Sequence, residues 1–217
     1  MAFRVNALAV KDLASICQKL NIHLIQISTE YVFDGTKDNS PYREEDAPNP
    51  INWYGETKFW AEKFISESGC SYTIARICMP YTAKYDLKSD IARFFLNQLK
   101  NGQKINAIFD AKITPVITDD IAFGLSKVIE EGINGIIHIA PTNFTTPYDF
   151  VKLLARVFGL DEFLVKKIAF EEYNRTKKAK LLRCSWLSSE KLRKKYGEST
   201  PHSIEEDLKI FKQQLTS

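Results

Sequence analysis

Apolar positions early in the chain recur at helical spacing. Val5, Leu8, Leu13, Ile16, Cys17 and Leu20 predict an amphipathic helix over residues 4–20. The next run, IHLIQIS, is short and nearly continuous, the pattern of a parallel strand over 23–28 buried on both faces. A loop rich in Asp, Asn and Pro follows over 34–52. Helix resumes at 54–68 and ends at Gly69, and YTIARI reads as the next strand. Farther on, helices are predicted over 88–101, stopped by Gly102, and over 119–131, stopped by Gly132. GIIHIA (135–140) reads as a strand and 147–158 as a helix closed by Gly159. Strands alternating with helices imply an α/β fold with a mostly parallel sheet.

Composition narrows this picture. At 217 residues and 44% hydrophobic content, the chain suits one large domain or a domain with a small lobe. Basic and acidic residues nearly balance, 30 against 27, so no strongly charged field points to nucleic acid or a membrane surface. The basic cluster RTKKAK (175–180) lacks an aromatic stacking platform and reads as a solvated face. Cys17, Cys70, Cys78 and Cys184 show no CxxC and no metal-ligand spacing, so reduced, packed thiols and no metal site are expected. No signal peptide opens the chain and no apolar run approaches the ~20 residues of a membrane span. A cytoplasmic location is the expectation.

The candidate chemistry begins where the 23–28 strand ends, in ISTEYVFDG. In open α/β sheets ligands sit beyond the carboxyl ends of strands, which places the hydroxyls of Ser28 and Thr29 at such a site. YGETK then sets Tyr54 and Lys58 on one face of a helix start. A phenol beside an ammonium has its anion stabilised and exchanges a proton nearer neutral pH. A hydroxyl aimed at the same carbonyl oxygen would polarise it, which together suits hydride addition to a ketone or the reverse oxidation. The YxxxK spacing alone is weak, since Tyr148 with Lys152 and Tyr173 with Lys177 repeat it as ordinary helix pairs. Only the first follows a strand that ends in hydroxyls.

ISTEYVFDG, PYREEDAPNPINWYGETKFWAEK and ITPVITDDIA together resemble the extended short-chain dehydrogenase/reductase superfamily, in the branch of dTDP-4-dehydrorhamnose reductase and related sugar-nucleotide reductases. GIIHIA, LSSEKL and SIEEDL extend the resemblance through essentially the whole chain. It implies a Rossmann-like, doubly wound parallel sheet, here partial, with a small C-terminal substrate-binding lobe. Residues 1–81 and 113–140 would form the remaining NAD(P)-binding part with the catalytic residues, and 82–112 with 141–217 the substrate lobe. By position, Tyr54 would donate the proton to the substrate ketone. Lys58 would lower the tyrosine pKa and hold the nicotinamide ribose, and Thr29, helped by Ser28, would bond the carbonyl oxygen. Asn6 matches an asparagine that supports a water-linked proton relay, or it satisfies its own backbone near a helix start. Glu30, Met79 and Tyr81 would line the substrate pocket. The implied cofactor is NADPH or NADH and the implied substrate a nucleotide-diphosphate sugar, a 4-keto-6-deoxy sugar nucleotide.

Several residues depart from that branch. No GxGxxG or GxxGxxG occurs, so the expectation is a chain lacking the N-terminal glycine-rich part of the cofactor domain and binding dinucleotide weakly alone. Thr29-Glu30 replaces Thr-Asp, Met79 stands where a tryptophan is expected, and Leu181-Leu182 where an Arg-Pro pair is. Lys88 and Arg93 are the nearby bases that could serve a diphosphate instead. The 23–28 strand would then carry an open edge, implying a homo-oligomer or a partner chain supplying the missing cofactor half. The rival reading is a regulatory or binding subunit of the same fold, as in the regulatory subunit of methionine adenosyltransferase, or one half of a split enzyme.

Overall fold

Residues 1–85, 87–197 and 201–216 are described by the structure, a computed structural model. The parts of the expected substrate lobe at 86, 198–200 and 217 lie outside the described residues. In chain order the elements are α1 (Ala9–Leu20), β1 (Leu24–Thr29), α2 (Trp53–Glu67), β2 (Tyr72–Ile77), α3 (Ile91–Lys100), β3 (Ile105–Ile108), β4 (Lys112–Ile113) and α4 (Thr118–Glu131). They continue with β5 (Gly135–Ile139), α5 (Pro147–Phe158), β6 (Val165–Ile168), α6 (Phe170–Asn174), β7 (Cys184–Ser185), α7 (Glu190–Tyr196) and α8 (Ile204–Thr216).

The helix expected over 4–20 is present, but its first turns, Arg4–Leu8, are wound as π-helix. Its buried stripe is not the bulky one. Ala7, Val10, Ala14 and Cys17 face inward, while Val5, Leu13, Ile16 and Leu20 are half or more exposed. The small residues let α1 approach α2, where Val10, Ala14 and Cys17 join Ala61 and Ile65 in one apolar cluster with Ile74 of the sheet. Asn21 closes α1 in the left-handed region at φ 53°, a conformation asparagine tolerates better than most residues.

β1, β2 and β5 form one parallel sheet with β2 in the centre. Alternate side chains serve its two faces. Ile74 packs toward α1 and α2, whereas Ala75, Ile77, Ile137 and Ile139 meet Ile121 and Val128 of α4 and Leu192 of α7. Helices cover both faces, which makes the sheet doubly wound. β1 departs from the expected two-sided burial: Leu24 to Ile27 are only half-buried, because among the described residues β1 pairs with β2 alone.

A second hydrophobic core centres on α3, α5 and α8. Leu96, Leu99, Phe150, Leu154, Leu208 and Phe211 share one core there. Two short parallel pairs, β3 with β6 and β4 with β7, join its segments. α3 starts later than expected because Asp90 accepts the Arg93 backbone N–H at 2.9 Å as an N-cap. All four cysteines are free and buried. Among the described residues no helix is long and apolar enough to cross a membrane.

Candidate active site

The register of the sheet brings Thr29 level with Ile77 at the carboxyl ends of β1 and β2. There the chain bends into a short 3-10 turn, Glu30–Val32, whose first backbone donor, Tyr31 N–H, is accepted by Thr29 Oγ1 at 3.3 Å. The 34–52 loop then returns the chain so that α2 starts across this strand end. Asn52 caps that helix, accepting from Gly55 N–H at 2.9 Å. Gly55 is required for the close approach: a Cβ there would lie 2.0 Å from the Tyr31 carbonyl oxygen. The glycine of YGETK thereby sets Tyr54 against the turn that carries Thr29.

Ile27, Ser28, Thr29, Glu30, Tyr31, Tyr54, Lys58, Ile77, Met79 and Pro80 enclose a cleft of ≈ 390 Å³. Tyr54 is half-exposed in it and meets Tyr31 edge-on, with ring centroids 5.9 Å apart. Lys58 reaches the strand end, where its ammonium donates to the Ile27 carbonyl at 2.6 Å. The two are therefore brought to one cleft, but the expected lowering of the phenol pKa is not what surrounds it here. Burial, and then the charge of Glu30, raise the Tyr54 pKa, against a smaller opposing effect of the Thr29 hydroxyl. The lysine is spent on a backbone carbonyl, and burial lowers its own pKa, with Glu62 acting the other way.

The two hydroxyls of ISTEYVFDG part company, as adjacent strand residues must. Thr29 is buried and donates to Glu30 Oε2 at 2.7 Å. Ser28 donates instead to Glu62 of α2, which holds the fully buried Arg76 through two bonds of 3.0 and 2.7 Å. The Arg76 guanidinium lies over the Phe33 ring, 4.9 Å from its centroid. Ser28 thus loses its expected helping role at the carbonyl, its proton being committed to a buried ion pair. Glu62 and Arg76 are the polar residues that sequence reading missed; in FWAEKF and YTIARI they look like ordinary surface charges.

Asn6 does not turn its side-chain amide to its own backbone. Its side chain donates to Thr57 Oγ1 at 3.1 Å, and Thr57 donates to the Tyr54 carbonyl at 2.8 Å. It braces the turn of α2 that holds Tyr54. Glu30 is 3% exposed, and burial, opposed by the Thr29 hydrogen bond, pushes its carboxyl up to about 7. Tyr81 is a correction: it is a core residue at 1% exposure, packed edge-on against Phe150 and Phe211. An aromatic ring a few residues past a strand end can enter a core or a pocket, and here two phenylalanines of α5 and α8 claim it.

Met79 links two spaces. It holds the left-handed conformation at φ 42°, a strain of about 1–2 kcal/mol for a non-glycine residue. It lines both the strand-end cleft and a second cavity of ≈ 410 Å³ formed with Ile91, Phe94, Phe95, Tyr173 and Leu181. Arg93, considered for a diphosphate, donates instead to the carbonyls of Thr82 and Ala83 at 2.9 and 2.5 Å.

A doubly wound parallel sheet with a threonine, a tyrosine and a lysine gathered at a strand end defines the class of Rossmann-like reductases, the extended short-chain dehydrogenase/reductases. Within that class the chain belongs to the family described as RmlD substrate binding domain, which matches residues 1–216. It is 31% identical over 211 residues to the "Probable low-salt glycan biosynthesis reductase Agl14" of Haloferax volcanii, covering 96% of this chain and 69% of that protein. It is also 31% identical over 165 residues to methionine adenosyltransferase 2 subunit beta of Bos taurus, covering 73% of this chain and 49% of the relative. Among solved structures it resembles dTDP-4-dehydrorhamnose reductase from Bacillus anthracis in complex with NADP, with TM-score 0.86 and 26% identity over 96% of this chain and 72% of that one.

Proposed function

We propose that this chain carries the proton-donating and sugar-nucleotide-binding face of an NAD(P)-dependent reductase acting on a 4-keto-6-deoxy sugar nucleotide. The observation that carries the reading is the gathering of Thr29, Tyr54 and Lys58 around one cleft that meets an apolar cavity at Met79. The keto group would enter the strand-end cleft, where Thr29 turns its hydroxyl from Glu30 to the carbonyl oxygen and Tyr54 delivers the proton. The sugar's methyl and the nucleotide would extend past Met79 toward Phe94 and Phe95. NADPH or NADH supplies the hydride when bound. This chain's residues fit only the nicotinamide end: Tyr54 and Lys58 stand free to meet a ribose once Lys58 leaves the Ile27 carbonyl, while no glycine-rich turn is present to approach a pyrophosphate. The similarity to the methionine adenosyltransferase subunit, together with a lysine held by the backbone, favours a binding subunit as the second reading.

The test pairs two measurements. Titration with a dTDP-linked 4-keto-6-deoxy sugar is expected to show binding, and loss of nicotinamide absorbance, followed at NADPH or NADH concentrations far above micromolar to offset the weak dinucleotide binding, is expected to show turnover that Tyr54→Phe lowers by at least ~10²-fold without weakening sugar-nucleotide binding. Binding with no turnover under either cofactor would move the conclusion to the second reading. No binding would remove both.

A further inference from the structure

Away from the cleft, Asp120 of α4, His202 and Asp207 of α8 bring one donor atom each within 4.8 Å of one another. His202 Nδ1 lies 2.7 Å from Asp120 Oδ1 and 3.7 Å from Asp207 Oδ1. Asp207 is fully buried and its Oδ1 has no hydrogen-bond partner, although its Oδ2 accepts weakly from Ile117 N–H at 3.5 Å. The Tyr81 hydroxyl is likewise buried without a partner.

Two carboxylates facing each other out of water repel, and one imidazole proton cannot serve both. The imidazole is already taken by Asp120 Oδ1 at 2.7 Å, which leaves the buried Asp207 Oδ1 without a partner. One divalent ion would relieve this arrangement. Bonds of ~2.0–2.2 Å in tetrahedral array set ligand atoms ~3.3–3.6 Å apart, and the observed 2.7 and 3.7 Å separations bracket that spacing.

We infer that Asp120, His202 and Asp207 form a binding site for a divalent transition cation of the Zn²⁺ class, which staples the start of α8 to α4. The donor set selects the cation. An imidazole nitrogen with two carboxylate oxygens suits Zn²⁺ or Co²⁺, whereas Mg²⁺ requires near-octahedral oxygen coordination that three side chains including an imidazole do not provide. His202, about one-third exposed, gives the ion its route in, and a water completes the fourth position. The staple would hold the 113–117 segment through Ile117 and the chain leaving Met79 through Tyr81, whose backbone pairs with Val116 and Thr118.

Tag-free, chelator-treated protein titrated with Zn²⁺ and with Co²⁺ tests this. The expected result is one ion per chain, visible absorption bands from tetrahedral Co²⁺, and a melting temperature that rises with Zn²⁺ but not with Mg²⁺. Asp207→Asn and His202→Ala should each weaken Zn²⁺ binding by at least ~10-fold, the scale at which even outer-shell partners matter. With the chelator present, Asp207→Asn should melt no lower than wild type, since it removes the unpaired buried carboxyl. Absence of binding, or binding left unchanged by both substitutions, would overturn the site.

Discussion

Tyr54 can give up a proton only as readily as its surroundings accept a phenolate, and burial together with Glu30 makes that harder in the unliganded cleft. Lys58 stands one hydrogen bond away from changing this. Glu30 itself answers to pH. Its carboxyl is raised from 4.5 to about 7, so the native state keeps a proton that the unfolded chain has already released. Stability should therefore fall as pH rises from about 4.5 to 7 and stay lower above it. Glu30→Gln keeps an acceptor for Thr29 and removes the charge. It should raise the unfolding free energy measured by urea denaturation at pH 8 by on the order of 3 kcal/mol and flatten its share of that pH dependence. A midpoint at pH 8 equal to wild type would mean that Glu30 is solvated in the native state.

At the scale of elements, the contact between α2 and the turn after β1 decides whether the site exists. Gly55→Ala would drive a Cβ into the Tyr31 carbonyl oxygen, so α2 must shift or tilt, carrying Tyr54 away from Thr29. A lower melting temperature and a loss of turnover at least as large as that of Tyr54→Phe are expected, with circular dichroism showing the helix content kept. The Ser28–Glu62–Arg76 network fastens the same helix to β1 and β2 from beneath. Glu62→Ala leaves Arg76 buried and uncompensated, a loss of roughly 3–5 kcal/mol in chemical denaturation. Ser28→Ala removes one hydrogen bond and should cost about 1 kcal/mol, with turnover close to wild type. A large loss of turnover at unchanged stability would restore Ser28 to the carbonyl.

Over the whole molecule, the two edges of the main sheet are finished differently. At β5 the Glu44 carboxylate accepts from His138 N–H at 3.0 Å and Lys191 donates to the Ile136 carbonyl at 2.5 Å, so side chains cover that edge. At β1, among the described residues, Lys58 and Gln26 are the side chains that reach a carbonyl, that of Ile27. The helical turns of Arg4–Leu8 expose Val5 and Leu8, α1 exposes Leu13, Ile16 and Leu20, and Trp53 stacks on Phe3 at 6.0 Å while remaining 62% exposed. We propose that a second copy covers this surface. Light scattering of the 24.9 kDa chain should report a larger species, and Leu13→Lys with Ile16→Lys should return it to monomer. Calorimetric titration should show NADPH and NADH binding weaker than micromolar. A monomer binding either cofactor at micromolar concentration would mean that other residues hold the pyrophosphate.

The sequence by itself determined the alternation of helices and parallel strands, the glycine stops, and the meeting of ISTEYVFDG with YGETK at a strand end. These features depend on local periodicity, capping and one return loop, all of which neighbouring residues encode. What covers each face was left to the tertiary structure. It buried the small stripe of α1 rather than the bulky one, because close packing on α2 rewards Ala7 and Ala14. It turned Ser28 to an ion pair and Thr29 to the cleft, drew Tyr81 into a core of phenylalanines, and assembled Asp120, His202 and Asp207 across 87 residues of chain. Spacing along a chain says which residues share a face, but the partners that face them come from distant segments, and burial, charge and hydrogen bonding with those partners decide what each residue does.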